Sequence, residues 1–470
     1  MKAAGIIAEY DPFHMGHLYN MDKARELTGA EAIVTVISGH FVQRGKPAFF
    51  PRNLRARMAL EAGADLVLEL PFIYSCSSSR DFAAGAAGIL NGLGCIDYLV
   101  FGAEEDRMDL LTEAAEASED ADRPESRTAS IIKSCLDEGL SYPQALSRSI
   151  EEVFGKETSA LLSAPNNLLA TEYIKALKKL HSYIKPLAVR RAGAGHDDMS
   201  EEISPKQASE ALKAGRAVIG TENEMLYHNK HMVSGSFIRN KILNAEMSDV
   251  SAFLPDSSLK ALAAFYDELH DESSRAHGNP VLSSVLEETL AEKASGVLKL
   301  LGKAHNASSR TVLQLLKYRI LTSSAGELAG IYGVDEGIEN RLVQAAGKAG
   351  SMDELIHMIK SRRYTYARLS RMLMYVLMNV KEEEVRNIRG CCHARVLGFS
   401  EKGRQLLKQI RKSSSIPVIS NLAGLDRMDA STGKILDIDI KAGSLYRMLL
   451  PDISPYSGER AYRPYICGGF

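Results

Sequence analysis

The sequence AAGIIAEYDPFHMGHL occupies residues 3–18 and joins an apolar run to a turn and a helix start. Continuous apolar character over residues 3–9 predicts a short strand that is buried on both faces. The Asp11-Pro12 pair predicts a turn, and the spacing of apolar residues over 16–27 predicts a helix. A buried strand followed directly by a helix is how a parallel α/β sheet begins.

The same alternation continues along the first half of the chain. Four further strands are predicted at 32–37, 65–70, 96–101 and 186–190. The predicted helices lie at 52–62, 81–93, 127–138, 143–153 and 168–180. These segments predict an α/β fold with a doubly wound, Rossmann-like parallel sheet that binds ligands at the carboxyl ends of its strands.

The pattern changes near residue 245. Beyond this point it is overwhelmingly helical, apart from short apolar runs near Val396 and at 416–419. We therefore predict two domains: an α/β domain over residues 1–248 and a mostly α-helical domain over residues 249–470.

Composition limits the class of protein. The 470 residues are enough for two or three domains. A hydrophobic content of 45% with 25% charged residues excludes a disordered or low-complexity chain. Lys plus Arg total 57 against 59 Asp plus Glu, and this net charge of -2 excludes a uniformly basic protein while leaving a local basic face open.

Cysteine content and hydropathy predict where the protein works. The 6 cysteines are too few for a disulfide scaffold and none forms a Cys-x-x-Cys pair, so we expect reduced thiols. The short apolar run at the N-terminus ends in acidic residues, which argues against a signal peptide. No stretch approaches the roughly 20 apolar residues of a membrane helix. A soluble cytoplasmic protein without a membrane partner is expected.

Charge is unevenly distributed along the chain. Residues 104–125 are acidic, whereas residues 360–412 carry 14 Lys plus Arg against 4 Asp plus Glu, a net charge of +10. Tyr364, Tyr366 and Tyr375 lie among these cations. Such a segment is typical of an RNA-binding surface, where cations contact phosphates and aromatic rings stack on bases. A solvated cationic helix face whose tyrosines belong to the core remains the alternative.

The clearest candidate site is His14-Met-Gly-His17, which follows the first strand and opens the first helix. A helix N-terminus attracts phosphate through unpaired N–H groups and its dipole. Gly16 lets a phosphate approach the backbone, and both imidazoles can donate hydrogen bonds to it, more strongly when protonated. The alternatives are a helix-start turn with two structural histidines and, less well supported, a zinc site that lacks a matching Cys or His pair.

Residues 5–18 resemble the signature of the nucleotidyltransferase superfamily that carries a His-x-Gly-His motif. The resemblance implies attack on the α-phosphate of ATP with release of pyrophosphate, and His14 and His17 as catalytic residues. A later Ser-x-Thr-x-x-Arg element of that superfamily corresponds to VSGSFIR at 233–239, which makes Ser236 and Arg239 candidates. A helix N-cap with an exposed Arg239 is the alternative interpretation of this weaker motif.

Longer blocks resemble the tRNA(Met) cytidine acetate ligase family. They are SGHFVQRGKP at 38–47, DLVLELPF at 65–72, FGAE at 101–104, PNNLLATEY at 165–173, RAGAG at 191–195, RYTYARLSR at 363–371 and RVLGFSEKG at 395–403. The blocks span nearly the whole chain. Asp11 and Met15 depart from the family pattern, since asparagines are common at both positions.

The family resemblance implies specific ATP-binding residues. Its ATP-binding stretch corresponds to Ile7, Ala8, Glu9, Tyr10, Asp11, Pro12, Phe13, His14, Met15, Gly16, His17, Leu18, Tyr19 and Asn20, and its further contacts to Gly102, Asn167 and Arg191. From the residues themselves, the choice between Asn166 and Asn167 stays open, as does N-capping by either. Gln43 and Arg44 face either the nucleotide or RNA. We assign RNA binding to Arg363, Arg368 and Arg371.

The resemblance implies ATP-dependent formation of acetyl-adenylate from acetate. ATP normally arrives with Mg²⁺, and the sequence contains no visible metal cage. The acetyl group would then pass to N4 of the wobble cytidine of elongator tRNA(Met). Two alternatives stay open: a small-molecule adenylyltransferase, which has no need of some 220 further helical residues, and a non-catalytic RNA-binding protein. The sequence indicates neither the acetate pocket nor the oligomeric state.

Overall fold

The computed structural model describes most of the chain. The described residues are 1–140, 142–191, 218–219, 225–227, 230–246, 250–277, 289–335, 337–361, 364–388, 390, 393–422, 425, 428–453 and 458–468. Arg363, the 192–195 part of the predicted Gly-Ala-Gly turn and the predicted boundary at 248/249 lie outside them.

A single large sheet organises the fold. Its strands, in spatial order, are β12 (Val418–Ile419), β11 (Ala394–Phe399), β5 (Leu66–Leu70), β2 (Ala32–Ser38), β1 (Ala3–Ala8), β6 (Tyr98–Ala103) and β7 (Lys185–Arg190), with β13 (Tyr465–Ile466) paired to β11. All pairings are parallel except that of β11 with β5. The predicted doubly wound, mostly parallel sheet is confirmed.

The central strands are apolar because both of their faces are covered. Every residue of β2 and β5 is buried, and in β1 only the last residue, Ala8, is partly exposed. Successive side chains of a strand point to opposite faces, so continuous burial requires cover on each side. The helical cover includes α1 (Met15–Thr28), α2 (Arg52–Glu61), α4 (Ser79–Gly92) and α9 (Pro165–Lys179), and the short α3 (Phe72–Ser75) packs against α4.

Smaller elements complete the first half of the chain. Between β6 and α9 lie α5 (Met108–Ala121), α6 (Arg127–Asp137), α7 (Tyr142–Phe154) and α8 (Lys156–Ser163). A hairpin of β3 (Phe41–Val42) and β4 (Lys46–Pro47) follows β2. A small sheet of β8 (Val218–Ile219), β9 (Met225–Tyr227) and β10 (Lys230–His231) precedes α10 (Gly235–Leu243).

Helices dominate the second half, as the sequence predicts. They are α11 (Val250–Phe253), α12 (Asp256–His277), α13 (Leu290–Leu321), α14 (Ala325–Ala329), α15 (Ile338–Lys348), α16 (Met352–Ile359), α17 (Tyr366–Met378), α18 (Glu382–Ile388), α19 (Glu401–Ser413) and α20 (Ala430–Leu449). The apolar runs near Val396 and at 416–419 form β11 and β12, which extend the sheet of the first half. Nothing in this arrangement tests the two-domain division, which stays a prediction.

A buried charge cluster joins the two halves of the chain. Arg52 lies 2.8 Å from a Glu69 carboxylate oxygen and 2.9 Å from one of Glu459. Arg395 contacts the same two carboxylates at 3.1 and 2.7 Å, and His40 lies 2.8 Å from Glu459. Burial alone would raise the pKa of Glu459, but Arg52 and His40 outweigh it and hold that pKa well below its usual value.

Helix α19 lies at the amino-terminal edge of the sheet. The Ser400 amide donates to the Asp65 carbonyl at 2.9 Å, just before β5 begins. At the other end of the helix, the Ser413 hydroxyl donates to the Leu93 carbonyl at 2.8 Å, ahead of β6. The cations of α19 are therefore far from the carboxyl ends of the strands. Among the described helices, none is both long and apolar enough to cross a membrane.

Candidate active site

A cavity of about 640 Å³ opens at the carboxyl ends of β1, β6 and β7. Most of the predicted site residues line it: Ile7, Ala8, Glu9, Tyr10, Asp11, His14, Gly16, His17, Tyr19, Asn20, Gly102, Arg191, Ser236 and Arg239. Of the predicted catalytic and ATP-binding residues, five do not line it, namely Pro12, Phe13, Met15, Leu18 and Asn167. The cavity lies where open α/β sheets bind ligands.

His14 and His17 form the start of α1. His14 is the N-cap, and its Nδ1 accepts a hydrogen bond from the Gly16 amide at 3.1 Å. The His14 amide in turn donates to Nδ1 of His17 at 3.3 Å. Both Nδ1 atoms are thus acceptors, which leaves Nε2 of each neutral ring as its N–H donor. The two rings stack with centroids 3.8 Å apart.

Both imidazoles are held neutral. Burial lowers the pKa of His14 to about 3, with Arg191 and Arg239 adding to the effect. Burial also holds the pKa of His17 well below its usual value, and His14 and Arg191 lower it further. The expectation from the sequence that protonated rings donate more strongly therefore does not apply to these neutral rings. Neutral Nε2–H donors and backbone amides are what a phosphate meets here.

Gly16 is placed for close approach to the backbone. A Cβ at this position would lie 3.0 Å from Cε1 of His14, tighter than ordinary van der Waals contact. Aromatic rings support the histidines from the core side: the Tyr10 ring lies 4.8 Å from His17 and 4.7 Å from Phe13, centroid to centroid. This explains Phe13, which is fully buried and packs beneath the site instead of lining it.

The second predicted motif meets the first in space. Helix α10 begins next to His14, since a Cβ at Gly235 would lie 3.6 Å from His14 Cδ2. Arg239 donates to the Asp11 carbonyl and, at 2.9 Å, to the Ser236 hydroxyl. Ser234, not Ser236, caps this helix by accepting from the Phe237 amide at 3.2 Å. The Ser236 hydroxyl and the Arg239 guanidinium are therefore left to face the cavity.

Asp11 supports the wall of the site. Its carboxylate accepts backbone hydrogen bonds from Phe49 at 3.0 Å and from Phe50 at 2.7 Å. Asp11 thereby ties the turn before α1 to the segment after β4. Asp11 is 6% exposed, and its carboxylate is used in these backbone hydrogen bonds. Its role in the site is therefore to position the turn before α1.

The two neighbouring asparagines have different places. Asn167 is buried and accepts from the Glu105 amide at 2.9 Å, so it fixes the loop after β6. Asn166 lines the cavity, donates to Glu104 and accepts from Arg191 at 3.2 Å. Neither caps α9, because Ala164 is its N-cap. The position that corresponds to the family contact is Asn167, whereas the side chain facing the cavity is that of Asn166.

Gly102 and Arg191 form the β6–β7 side of the cavity. A Cβ at Gly102 would lie 3.2 Å from Cγ of Arg191, so a side chain there would push the arginine away. Burial lowers the pKa of Arg191, and Glu104 partly opposes this effect. A cation held by a carboxamide at the rim is suited to bind an anionic group.

The side near β1 carries a carboxylate and unpaired amide atoms. Glu9 accepts from the Gln43 amide at 2.8 Å, and burial raises the pKa of Glu9 above its usual value. Asn20 Oδ1 and Gln43 Nε2 are buried without a hydrogen-bond partner among the described residues. Buried polar atoms are normally paired, so these two favour a ligand that completes them.

Several cavity residues carry no signal in the sequence. Phe82, Phe101 and Tyr173 supply aromatic surface, and Ser79 a hydroxyl, from α4, β6 and α9. Periodicity predicts only that such residues are buried, because a core aromatic and a ligand-facing aromatic occupy the same positions in a helix or strand.

Two of the predicted RNA-binding arginines, Arg368 and Arg371, lie on α17, whereas Arg363 lies outside the described residues. Arg368 pairs with Asp335 at 2.9 Å and stacks on the Tyr364 ring, whose centroid is 4.6 Å away. Arg371 donates to the Gln43 carbonyl at 3.3 Å, and burial lowers its pKa. Of the three tyrosines in the basic segment, Tyr364 and Tyr375 are buried, whereas Tyr366 is 42% exposed.

Comparison with known proteins places the chain in a class. Residues 1–461 match the family described as HIGH Nucleotidyl Transferase, which agrees with the fold and with the His14–His17 site. The chain therefore belongs to the HIGH nucleotidyl transferases.

Full-length relatives define the family more narrowly. The chain is 33% identical to the tRNA(Met) cytidine acetate ligase of Clostridium perfringens strain SM101, with 96% of each chain covered. It is 33% identical to that of Acetivibrio thermocellus, with 95% of each covered. It also superposes on Thermotoga maritima TmcAL bound with alpha-thio ATP, with a TM-score of 0.76, 26% identity and 99% coverage of both chains. The chain belongs to the tRNA(Met) cytidine acetate ligase family.

Proposed function

We propose that this chain is an ATP-dependent ligase that activates acetate as acetyl-adenylate and acetylates N4 of the wobble cytidine of elongator tRNA(Met). The observation that carries the proposal is the meeting of two helix N-termini, two neutral imidazoles and Arg239 around one cavity. Family membership over the whole chain supports the same reaction. It speaks against the two alternatives, a small-molecule adenylyltransferase and a non-catalytic RNA-binding protein.

In the first step a carboxylate oxygen of acetate attacks the α-phosphorus of ATP. The bond from that phosphorus to its bridging oxygen breaks, and pyrophosphate leaves with the oxygen. His14 and His17 would donate Nε2–H bonds to phosphate oxygens, and the amides that open α1 and α10 would stabilise the growing charge. Ser236 and Arg239 would hold the departing pyrophosphate.

Mg²⁺ would enter with the ATP substrate. Within the described residues, no group of three His, Cys, Asp or Glu side chains is placed to hold a metal ion. The chain's own contribution is therefore positioning and hydrogen bonding.

In the second step the N4 amine of cytidine attacks the acetyl carbon. A carbon–nitrogen bond forms, the bond from that carbon to the phosphate oxygen breaks, and AMP leaves while the amine loses a proton. The reaction requires tRNA beside the cavity, and we propose that Arg363, Arg368 and Arg371 of the 249–470 domain bind its phosphates. Arg371 contacts the Gln43 carbonyl, which links this region to the cavity wall.

The experiment is to incubate the full chain with ATP, labelled acetate and bulk tRNA and to locate the label by nucleoside analysis. We expect the label in N4-acetylcytidine of elongator tRNA(Met). Label in no product would support a binding protein, and an adenylylated small molecule would support an adenylyltransferase. Either outcome would overturn the proposal.

A further inference from the structure

The hairpin of β3 and β4 lies between the cavity and helix α17. It follows β2, and its tip residues Gln43 and Arg44 line the cavity. The Gln43 amide is fixed to Glu9 at 2.8 Å. One side of the tip thus belongs to the wall of the proposed nucleotide site.

The opposite side of the tip packs on the backbone of α17. Gly45 has a φ of 70°, and a Cβ there would lie 2.4 Å from the amide nitrogen of Arg371. Only glycine fits such a close approach at a positive φ. The Gln43 carbonyl also accepts from Arg371 at 3.3 Å. The hairpin tip therefore has a fixed position, in contact with the helix that carries Arg368 and Arg371.

The hairpin carries two exposed cations, Arg44 and Lys46. Arg44 donates to the Ser236 hydroxyl at 2.9 Å, and Glu9 is near enough for its charge to act on Arg44 without contact. Lys46 is exposed on β4. Within the described part of the chain, neither cation forms a salt bridge, whereas Arg368 on α17 is paired with Asp335. Exposed, unpaired cations beside a catalytic opening are suited to bind the phosphates of a polynucleotide.

We propose that this hairpin is an RNA-binding element of the first half of the chain, with Arg44 and Lys46 contacting phosphates that flank the nucleotide entering the cavity. This inference rests on the proposed function and specifies where on the first half of the chain the RNA would bind. A single-stranded loop is the form of RNA whose base can turn into a pocket while its backbone stays on such a rim. Arg44 would exchange the Ser236 hydroxyl for a phosphate oxygen.

The position of the hairpin also divides the basic segment. Arg371 contacts the hairpin and Arg368 precedes Arg371 by one turn of α17, whereas the cations of α19 lie at the opposite edge of the sheet. The net charge of +10 over 360–412 is therefore not one surface. Arg411 and Lys412 are both exposed in the last turn of α19. They serve as a control pair with the same charge at the amino-terminal edge of the sheet, away from the cavity.

The test measures binding of the full chain to a synthetic anticodon stem-loop of elongator tRNA(Met) by fluorescence anisotropy. Salt is varied from about 50 to 200 mM, because each phosphate contact contributes about 0.7–0.9 to the slope of log affinity against log salt. We expect the double variant Arg44→Gln, Lys46→Gln to lose about 1.4–1.8 of that slope. Raising the salt from about 50 to 200 mM would then reduce the affinity of the variant for the stem-loop by a factor roughly tenfold smaller than for the wild type.

Two further variants make the result specific. Arg44→Lys with Lys46→Arg keeps both charges and should retain the wild-type slope. Arg411→Gln with Lys412→Gln should retain it as well. An unchanged slope in the hairpin variant, or an equal loss in the α19 control, would overturn the inference.

The inference and the proposed function fail in distinguishable ways. A wild-type chain that neither binds the stem-loop nor acetylates tRNA would overturn both. A wild-type chain that binds and acetylates, alongside a hairpin variant of unchanged slope, would overturn the hairpin alone.

Discussion

At the scale of single residues, the site depends on the state of two histidines. Each Nδ1 accepts a backbone hydrogen bond at the start of α1, so the fold itself fixes the tautomer. Neutral rings cost little to bury, and they still offer one donor each to an incoming phosphate. His14 therefore serves the helix as its N-cap and the proposed reaction as a donor.

This dual role makes a substitution that separates the two functions informative. We expect His14→Asn to keep the N-cap, because asparagine is a good capping residue. It removes the Nε2–H donor, and we expect acetate-dependent ATP–pyrophosphate exchange to fall about 10²–10³-fold, the usual loss for one donor to a developing charge. His357→Asn, at an exposed position of α16, is the control. Exchange at the normal rate in His14→Asn would refute the phosphate-site assignment.

The lowered pKa of His14 also predicts a dependence of stability on pH. Its pKa is about 3 in the folded chain and about 6.5 when unfolded, so below pH 6.5 the unfolded state binds the proton more tightly. The contribution of neutral His14 to the free energy of unfolding is therefore complete above pH 6.5 and is lost as the pH falls. We expect His14→Asn to lose about 1.4 kcal/mol less free energy of unfolding than wild type between pH 7.5 and 5.5.

Urea denaturation at the two pH values measures this difference. Equal losses in wild type and variant would show that His14 is not held neutral.

At the scale of elements, contacts between distant segments hold the site together. Helix α10 is placed against α1 by Arg239, and the β3–β4 hairpin is held between Glu9 and α17. The C-terminal segment that carries Glu459 enters the buried charge cluster with Arg52 and Arg395. None of these contacts is local in sequence.

The charge cluster should be sensitive to removal of one partner. We expect Glu459→Gln to lower the free energy of unfolding by about 3–5 kcal/mol, because it leaves buried arginine charge uncompensated. Glu401→Gln is the matched control, since Glu401 pairs with Arg404 at an exposed position and should cost about 1 kcal/mol or less. Chemical denaturation of both variants decides the matter, and similar losses would contradict the prediction.

The proposed RNA-binding arginines, two of which lie on α17, can be tested by substitution. Replacing Arg363, Arg368 and Arg371 together by glutamine should raise the Kd for tRNA about tenfold or more, as loss of several phosphate contacts does. Adenylate formation should fall far less than tRNA affinity, because neither Arg368 nor Arg371 lines the cavity. Filter binding and pyrophosphate exchange on the same preparation compare the two effects. Unchanged tRNA affinity would refute the assignment of these arginines.

At the scale of the whole molecule, the sheet is shared between the two halves of the chain. Strand β11 pairs antiparallel with β5 and carries Arg395 of the charge cluster. The nucleotide cavity and α17 consequently belong to one packed structure, with a hydrophobic core that includes residues of both halves.

Because the sheet contains strands from both halves of the chain, the first half produced alone should not be stable. Residues 1–248 produced alone would expose the edge of β5 and leave Arg52 and Glu69 without Arg395 and Glu459. We expect the fragment to aggregate, because an unpaired apolar strand edge invites association. Size-exclusion chromatography and thermal unfolding against the full chain provide the measurement. A monomeric fragment that unfolds cooperatively would show that the first half folds by itself.

The sequence by itself indicated five strands of the large sheet, six helices of the first half, the helical character of the second half, and the position of the His14-Met-Gly-His17 motif between a strand end and a helix start. These are local properties, because hydrophobic period, helix capping and a motif at a strand end need only nearby residues. The tertiary structure alone decided that Asn166 and not Asn167 faces the cavity, that Arg44 reaches Ser236, and that the basic segment is split between two edges of the sheet. Each of these depends on chain segments far apart in sequence, and periodicity carries no information about which distant segments meet.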